Sequence, residues 1–163
     1  WSPHVYKIIH ELPFEEVEAR NQRFFRIQAL LLGLAAALLI IIYPVALKIG
    51  AGHLPNYASL RRELFLLAAA YVVLVPYYHG QNYLLAFDRG REVLRVNLMV
   101  GTVGMAVQIG FMWFLGPLGI YVGFFGQLFV RAACMFYIVR RHWRIGLPWQ
   151  GIAGGLSIAL LGM

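Results

Sequence analysis

Apolar side chains run along this chain in long blocks separated by short polar clusters. Crossing a hydrocarbon core of about 30 Å takes about 20 mainly apolar residues in a helix. Four blocks reach that length: residues 25–48 (around LLLGLAAALLIIIYPVAL), 64–87, 94–115 and 118–139. A fifth, 147–163, is apolar but too short to cross in full, and reads as the truncated start of a further span. The pattern predicts an all-α chain, a polytopic transmembrane helical bundle over 25–163. The first two spans are joined through Gly50, Gly52, Pro55 and Asn56, the next two through DRGRE, and the last two through GPLG. Turn formers in short connections make sequential spans antiparallel neighbours. Residues 1–24 are less apolar and read as a cytoplasmic connector. Within it HELPFEEVEARNQRFF has the look of a short surface helix, with Glu15, Glu16 and Glu18 placed to pair with Arg20 and Arg23.

Composition removes the soluble alternative. Hydrophobic residues make up 61% of the 163, charged residues only 13%, and the mean hydropathy is +0.69, whereas soluble domains are about a quarter charged. The net charge of +7 therefore comes from Lys and Arg outside the apolar blocks, which suits loops facing anionic lipid and argues against a nucleic-acid partner. Arg20, Arg23, Arg26, Arg89, Arg91, Arg95, Arg140, Arg141 and Arg144 fall on one side of the predicted membrane, against Lys48, Arg61 and Arg62 on the other. The positive-inside rule makes the first side cytoplasmic. The lone Cys134 lies in an apolar block and offers no intrachain disulfide. The first apolar run begins near residue 27 behind charged residues, unlike a signal peptide. A start at Trp1 and an end within an apolar run read as a piece of a longer protein.

Polar residues inside a span are functional candidates, because each must be compensated in hydrocarbon. Arg131 lies near the middle of the fourth predicted span, with Gln127 one turn earlier and Cys134 three residues later. It suits either an anion site or a structural role, snorkelling to the interface or bonding carbonyls of a neighbouring helix. In the third span Asn97, Gly101, Gly104 and Gln108 share one helical face. The glycines suit close helix packing, and Gln108 suits packing or a cavity wall equally. The second span carries Pro76, a kink former, followed by His79, Asn82 and Tyr83 on one face, with Tyr78 positioned to pair with Asn82. Such an aromatic and amide cluster suits sugar or headgroup contact, and suits a membrane-interface belt as well. No catalytic constellation appears, and His4, His10, His53, His79 and His142 lack metal-ligand spacing. All seven acids, Glu11, Glu15, Glu16, Glu18, Glu63, Asp88 and Glu92, lie outside or at the edge of the predicted spans. The sequence points to a protein that is not an enzyme, with no cofactor and no metal.

The order of these pieces resembles a known family. WSPHVYKIIHE looks like the helix end before a cytoplasmic connector in bacterial O-antigen and polysaccharide flippases. Tyr43–Pro44, then Tyr57, then the turn in YLLAFDRGREVLRVN and the hairpin GPLGIYVGFFGQL follow in the family's order. The resemblance is to the multidrug, oligosaccharidyl-lipid and polysaccharide exporter superfamily. It implies that the four spans are the ninth to twelfth of a twelve-to-fourteen-helix transporter in the bacterial inner membrane. It further implies alternating-access transport of undecaprenyl-diphosphate-linked oligosaccharide, with Arg131 facing the diphosphate. Partners would be the bilayer, that lipid-linked substrate and other membrane proteins of polysaccharide assembly. A drug or cation exporter of the same superfamily and a membrane polymerase or ligase are the competing expectations. The exporter favours a carboxylate within the spans, and the polymerase or ligase a long outer loop.

Overall fold

In a computed structural model, residues 7, 9–50 and 61–163 are described, with backbone alone at Gly50 and Arg61. The described residues are almost entirely α-helical, with no strand among them. Helix α1 spans Phe14–Gly50, 37 residues without interruption. Pro13 precedes it, Glu15 and Glu16 occupy its first turn where the helix dipole favours negative charge, and neither Gly nor Pro occurs again until Gly33. The stretch read as a connector helix is thus collinear with the first span. The charge pairs expected within it do not form: no ion pair joins Glu15, Glu16 or Glu18 to Arg20 or Arg23 among the described residues. Glu18 turns inward instead, to partners far away in sequence.

The second span is two helices, α2 (Arg61–Val73) and α3 (Val75–Ala86). Pro76 brings no N–H to the ladder, and the Tyr77 N–H reaches back only to Leu74 O, at 2.9 Å, so the α-helical register breaks at Leu74. A tight turn with Asp88 at φ 56° leads into α4 (Gly90–Leu115). Gly116, at φ 64° and ψ −148°, then reverses the chain into α5 (Pro117–His142). That backbone conformation is reserved for glycine. Past a short loop, α6 covers Trp149–Leu161. The loop joining α1 to α2, with Gly52, Pro55, Asn56, Tyr57 and His53, lies outside the described residues, as do Trp1–Tyr6 and with them His4.

The α4–α5 hairpin packs through α5 onto the broken span α2–α3, which leans on α1, and α1 runs along α6. Small residues set the closest crossings. A Cβ on Gly33 or Gly155 would collide with the facing backbone, and one on Gly119 would collide with the carbonyl of Phe111 just past the hairpin turn. The packed core is densest at the end where α3 meets α4 and α5 ends, around Tyr83, Leu84, Val93, Met135 and Val139. Elsewhere the apolar side chains point outward, such as Leu31 and Leu38 on α1 and Met99, Val103, Met105, Trp113 and Phe114 on α4. Four helices, with α2 and α3 taken as one, are long and apolar enough to cross a membrane. A continuous apolar exterior of this kind requires an apolar solvent.

Candidate functional site: a polar seam between two spans

The two polar faces read from the sequence meet. Along the α4–α5 crossing, Gln108 Nε2 donates a short hydrogen bond to Gln127 Oε1. One turn further, Gly104 leaves the space that Gln127 fills, since a Cβ there would sit 2.5 Å from the Gln127 amide carbon. One turn beyond that, a Cβ on Gly101 would touch Arg131 Nη2 at 3.8 Å. The 3.6-residue period thus aligns Gln108, Gly104 and Gly101 on α4 with Gln127 and Arg131 on α5. Asn97 extends the line by donating from Nδ2 to the Tyr77 hydroxyl at 2.8 Å, crossing to α3.

Arg131 is half-buried on this line. It lies about 21 Å along α5 from its first residue and about 16 Å from its last, at 1.5 Å per residue. Its Nε is buried with no hydrogen-bond partner, and so is Asn97 Oδ1. Among the described residues no carboxylate pairs with the guanidinium. Nor, among the described residues, does a neighbouring helix lend it a carbonyl, one of the two structural roles the sequence left open beside snorkelling to the interface. Tyr78 lies within electrostatic reach of this charge. Its ring packs edge-on against Tyr77, 5.4 Å between centroids, and it makes no hydrogen bond to Asn82. Beside the seam runs a groove of about 410 Å³ between α4 and α5, where Gln127 is the polar residue among Met99, Val103, Val107 and Phe111.

His79 and Asn82 do not join the seam. His79 is fully buried near the other face of α3, edge-on to Phe25 at 4.7 Å, with Nε2 3.6 Å from Glu18 Oε2. Asn82 is half-buried on the same helix. Around Glu18 a second polar cluster forms that sequence reasoning missed. The Tyr83 hydroxyl donates to Glu18 Oε2 at 2.6 Å, Gln22 Nε2 donates to Oε1 at 2.8 Å, and the Gly146 N–H donates to Oε1 at 2.7 Å. Asn21 Nδ2 donates to the Tyr83 hydroxyl at 3.1 Å. These bonds lash α1, α3 and the loop after α5 together. The ring of Trp143 stacks on Phe87 at 4.9 Å, and Arg89, Glu92 and His142 close the same end of the bundle. The arginines counted on one side of the membrane belong to this lashed end.

No protein-family model matches the chain, and no curated protein or solved structure shows a significant similarity to it. The class its geometry defines is a helical chain with four helices suited to cross a membrane and a polar seam carrying an unpartnered cation.

Proposed function

We propose that the chain is part of a transporter that flips lipid-linked oligosaccharide across the bacterial inner membrane, and that Arg131 contacts the diphosphate of that substrate. The observation that carries this reading is the buried, unpartnered Nε of Arg131 at mid-helix. A charged side chain at that depth costs about 2.5–3.5 kcal/mol to insert, and no protein group compensates it among the described residues. An anion that comes and goes is the compensation such a site suits. The planar guanidinium binds phosphate oxygens by a two-point fork that an ammonium lacks. Gln127, Gln108 and Asn97 supply amides along the same line for the sugar–phosphate portion. The superfamily's drug or cation exporters would favour a carboxylate within the spans; Glu18 lies in the Phe14–Ile49 helix beside buried His79, and none lies on the seam among the described residues.

Arg131→Ala in the full-length protein is expected to insert normally while polysaccharide export per molecule falls roughly 10- to 100-fold. That range corresponds to a charge-assisted hydrogen bond of about 1.5–3 kcal/mol. Arg131→Lys is expected to retain part of the activity. Export assays normalised to protein level, run beside thermal melts, separate the roles. A lower melting temperature with activity falling only in proportion would return Arg131 to a structural part. Full export by a stably inserted Arg131→Ala protein would overturn the assignment.

A further inference from the structure

The lashed end of the bundle holds a second cationic feature, away from the seam. Arg23 and Arg26, on one face of α1, line a cavity of about 550 Å³ together with Gln22, Pro148, Trp149 and Gln150. No acid lines it. Neither arginine forms a hydrogen bond or ion pair among the described residues. Glu18, one turn earlier on α1, is occupied by Tyr83, Gln22 and Gly146. The cavity therefore presents two unneutralised guanidinium groups. Gln150 and Gly151 come from the first turn of α6, which no side chain caps. That turn adds partial positive charge to the same space.

Leu147 and Trp149 line this cavity and also a second one of about 560 Å³. The second is an apolar groove between α2, α3, α5 and α6, walled by Phe125, Phe129, Phe136, Ala133, Ala153 and Leu156. It runs from the lashed end along the apolar helices. Trp149, 66% exposed, stands where the two meet, the position at which amphipathic rings settle in a membrane interface. Free phosphate would use the first cavity alone. A phospholipid has a group for each.

We propose that this paired site binds one anionic phospholipid of the leaflet at the lashed end, its phosphate between Arg23 and Arg26 and an acyl chain in the groove. The site stands independently of the flippase reading, since none of its residues belongs to the seam. At about 1 kcal/mol for each arginine near an anionic surface, losing both weakens binding by roughly tenfold or more.

Native mass spectrometry of the full-length protein, delipidated and titrated with phosphatidylglycerol, tests the site, with phosphatidylcholine and glycerol 3-phosphate titrated in parallel. Phosphatidylglycerol is expected to bind most tightly. The double variant Arg23→Gln/Arg26→Gln is expected to lose roughly tenfold or more of that binding. Arg140→Gln/Arg141→Gln, at the same end but outside the cavity, is expected to keep it. Ala153→Phe, which fills the groove and leaves both arginines, is expected to weaken phosphatidylglycerol and leave glycerol 3-phosphate unchanged. Unaltered lipid binding by the Arg23/Arg26 variant overturns the site. Glycerol 3-phosphate binding as tightly as phosphatidylglycerol makes it a soluble-phosphate site and overturns the lipid. Equal binding of phosphatidylcholine overturns the charge selectivity. Should the arginine variant fail to fold, unchanged phosphatidylglycerol binding by Ala153→Phe is enough to reject the proposal.

Discussion

The hydroxyl of Tyr83 donates to Glu18 and accepts from Asn21, so one oxygen bridges two turns of α1 to α3. A hydrogen bond to a carboxylate contributes about 1.5–3 kcal/mol, and a buried acceptor left with fewer donors loses that directly. Tyr83→Phe is therefore expected to lower stability by about 1–3 kcal/mol, read as a lower melting temperature in detergent. Under the flippase proposal, export per folded molecule should be preserved. Glu18→Gln should cost a comparable amount, because Tyr83 donates to one carboxylate oxygen while Gly146 and Gln22 donate to the other, and an amide keeps only one acceptor. Residue-level reading of the sequence singled out Arg131, Gln127, Gln108 and Asn97 by depth or periodicity, but placed Tyr83 with His79 at a sugar, headgroup or interface contact, whereas both are fully buried. It sent Glu18 to Arg20 and Arg23, since nearest neighbours on a helix are what a local pattern contains. Partners 65 and 128 residues away, Tyr83 and Gly146, follow only from how the helices pack.

Between α1 and α6 the fit depends on having no side chain at the crossing. A Cβ at Gly155 would run into the carbonyl of Ala29 and lie 2.9 Å from Val72. Gly155→Leu is expected to push α6 away from α1 and destabilise the bundle by about 1–3 kcal/mol, the usual penalty of overpacking. A disulfide engineered across the same interface, forming readily in the parent and poorly in the variant, would show the separation directly. An unchanged crosslinking yield would mean that the crossing tolerates bulk. Elements were the most legible level of the sequence, because twenty-residue apolar blocks allow little but helices. The break at Leu74 was foreshadowed by Pro76. The continuity of α1 through residues 14–25 was not, since polar composition there suggested a separate piece while its helix formers and lack of Gly or Pro favoured extension.

At the scale of the whole molecule, the arginines at 20–26, 89–95 and 140–144 share one end with the lashed contacts, with Arg89, Glu92, His142 and Trp143 interlocked there. The positive-inside rule predicts that end to be cytoplasmic. In a Cys134→Ser background, Gly90→Cys is expected to resist a membrane-impermeant thiol reagent in intact cells, while Pro117→Cys is expected to react. Labelling in the reverse order would invert the chain. The sequence predicts this sidedness through a count of charges, whereas the order in which spans sit beside one another required the packing itself. Nothing along the chain announces that α5 lies against the broken span while α1 lies against α6.

One feature of α1 has a mechanical meaning. Thirty-seven residues of unbroken helix make a rod about 55 Å long, nearly twice the hydrocarbon thickness it would cross. Its lashed end is tied by Glu18 to α3 and to the loop before α6. Tied there and packed along α6 as far as Ala37, which faces Gly162, the rod moves as one body with α6: tilting by roughly 10° about the tie displaces its far end by about 8 Å, given the rise per residue. Small rearrangements among the loops at the lashed end would thus arrive at the opposite end of the bundle as displacements near the width of another helix.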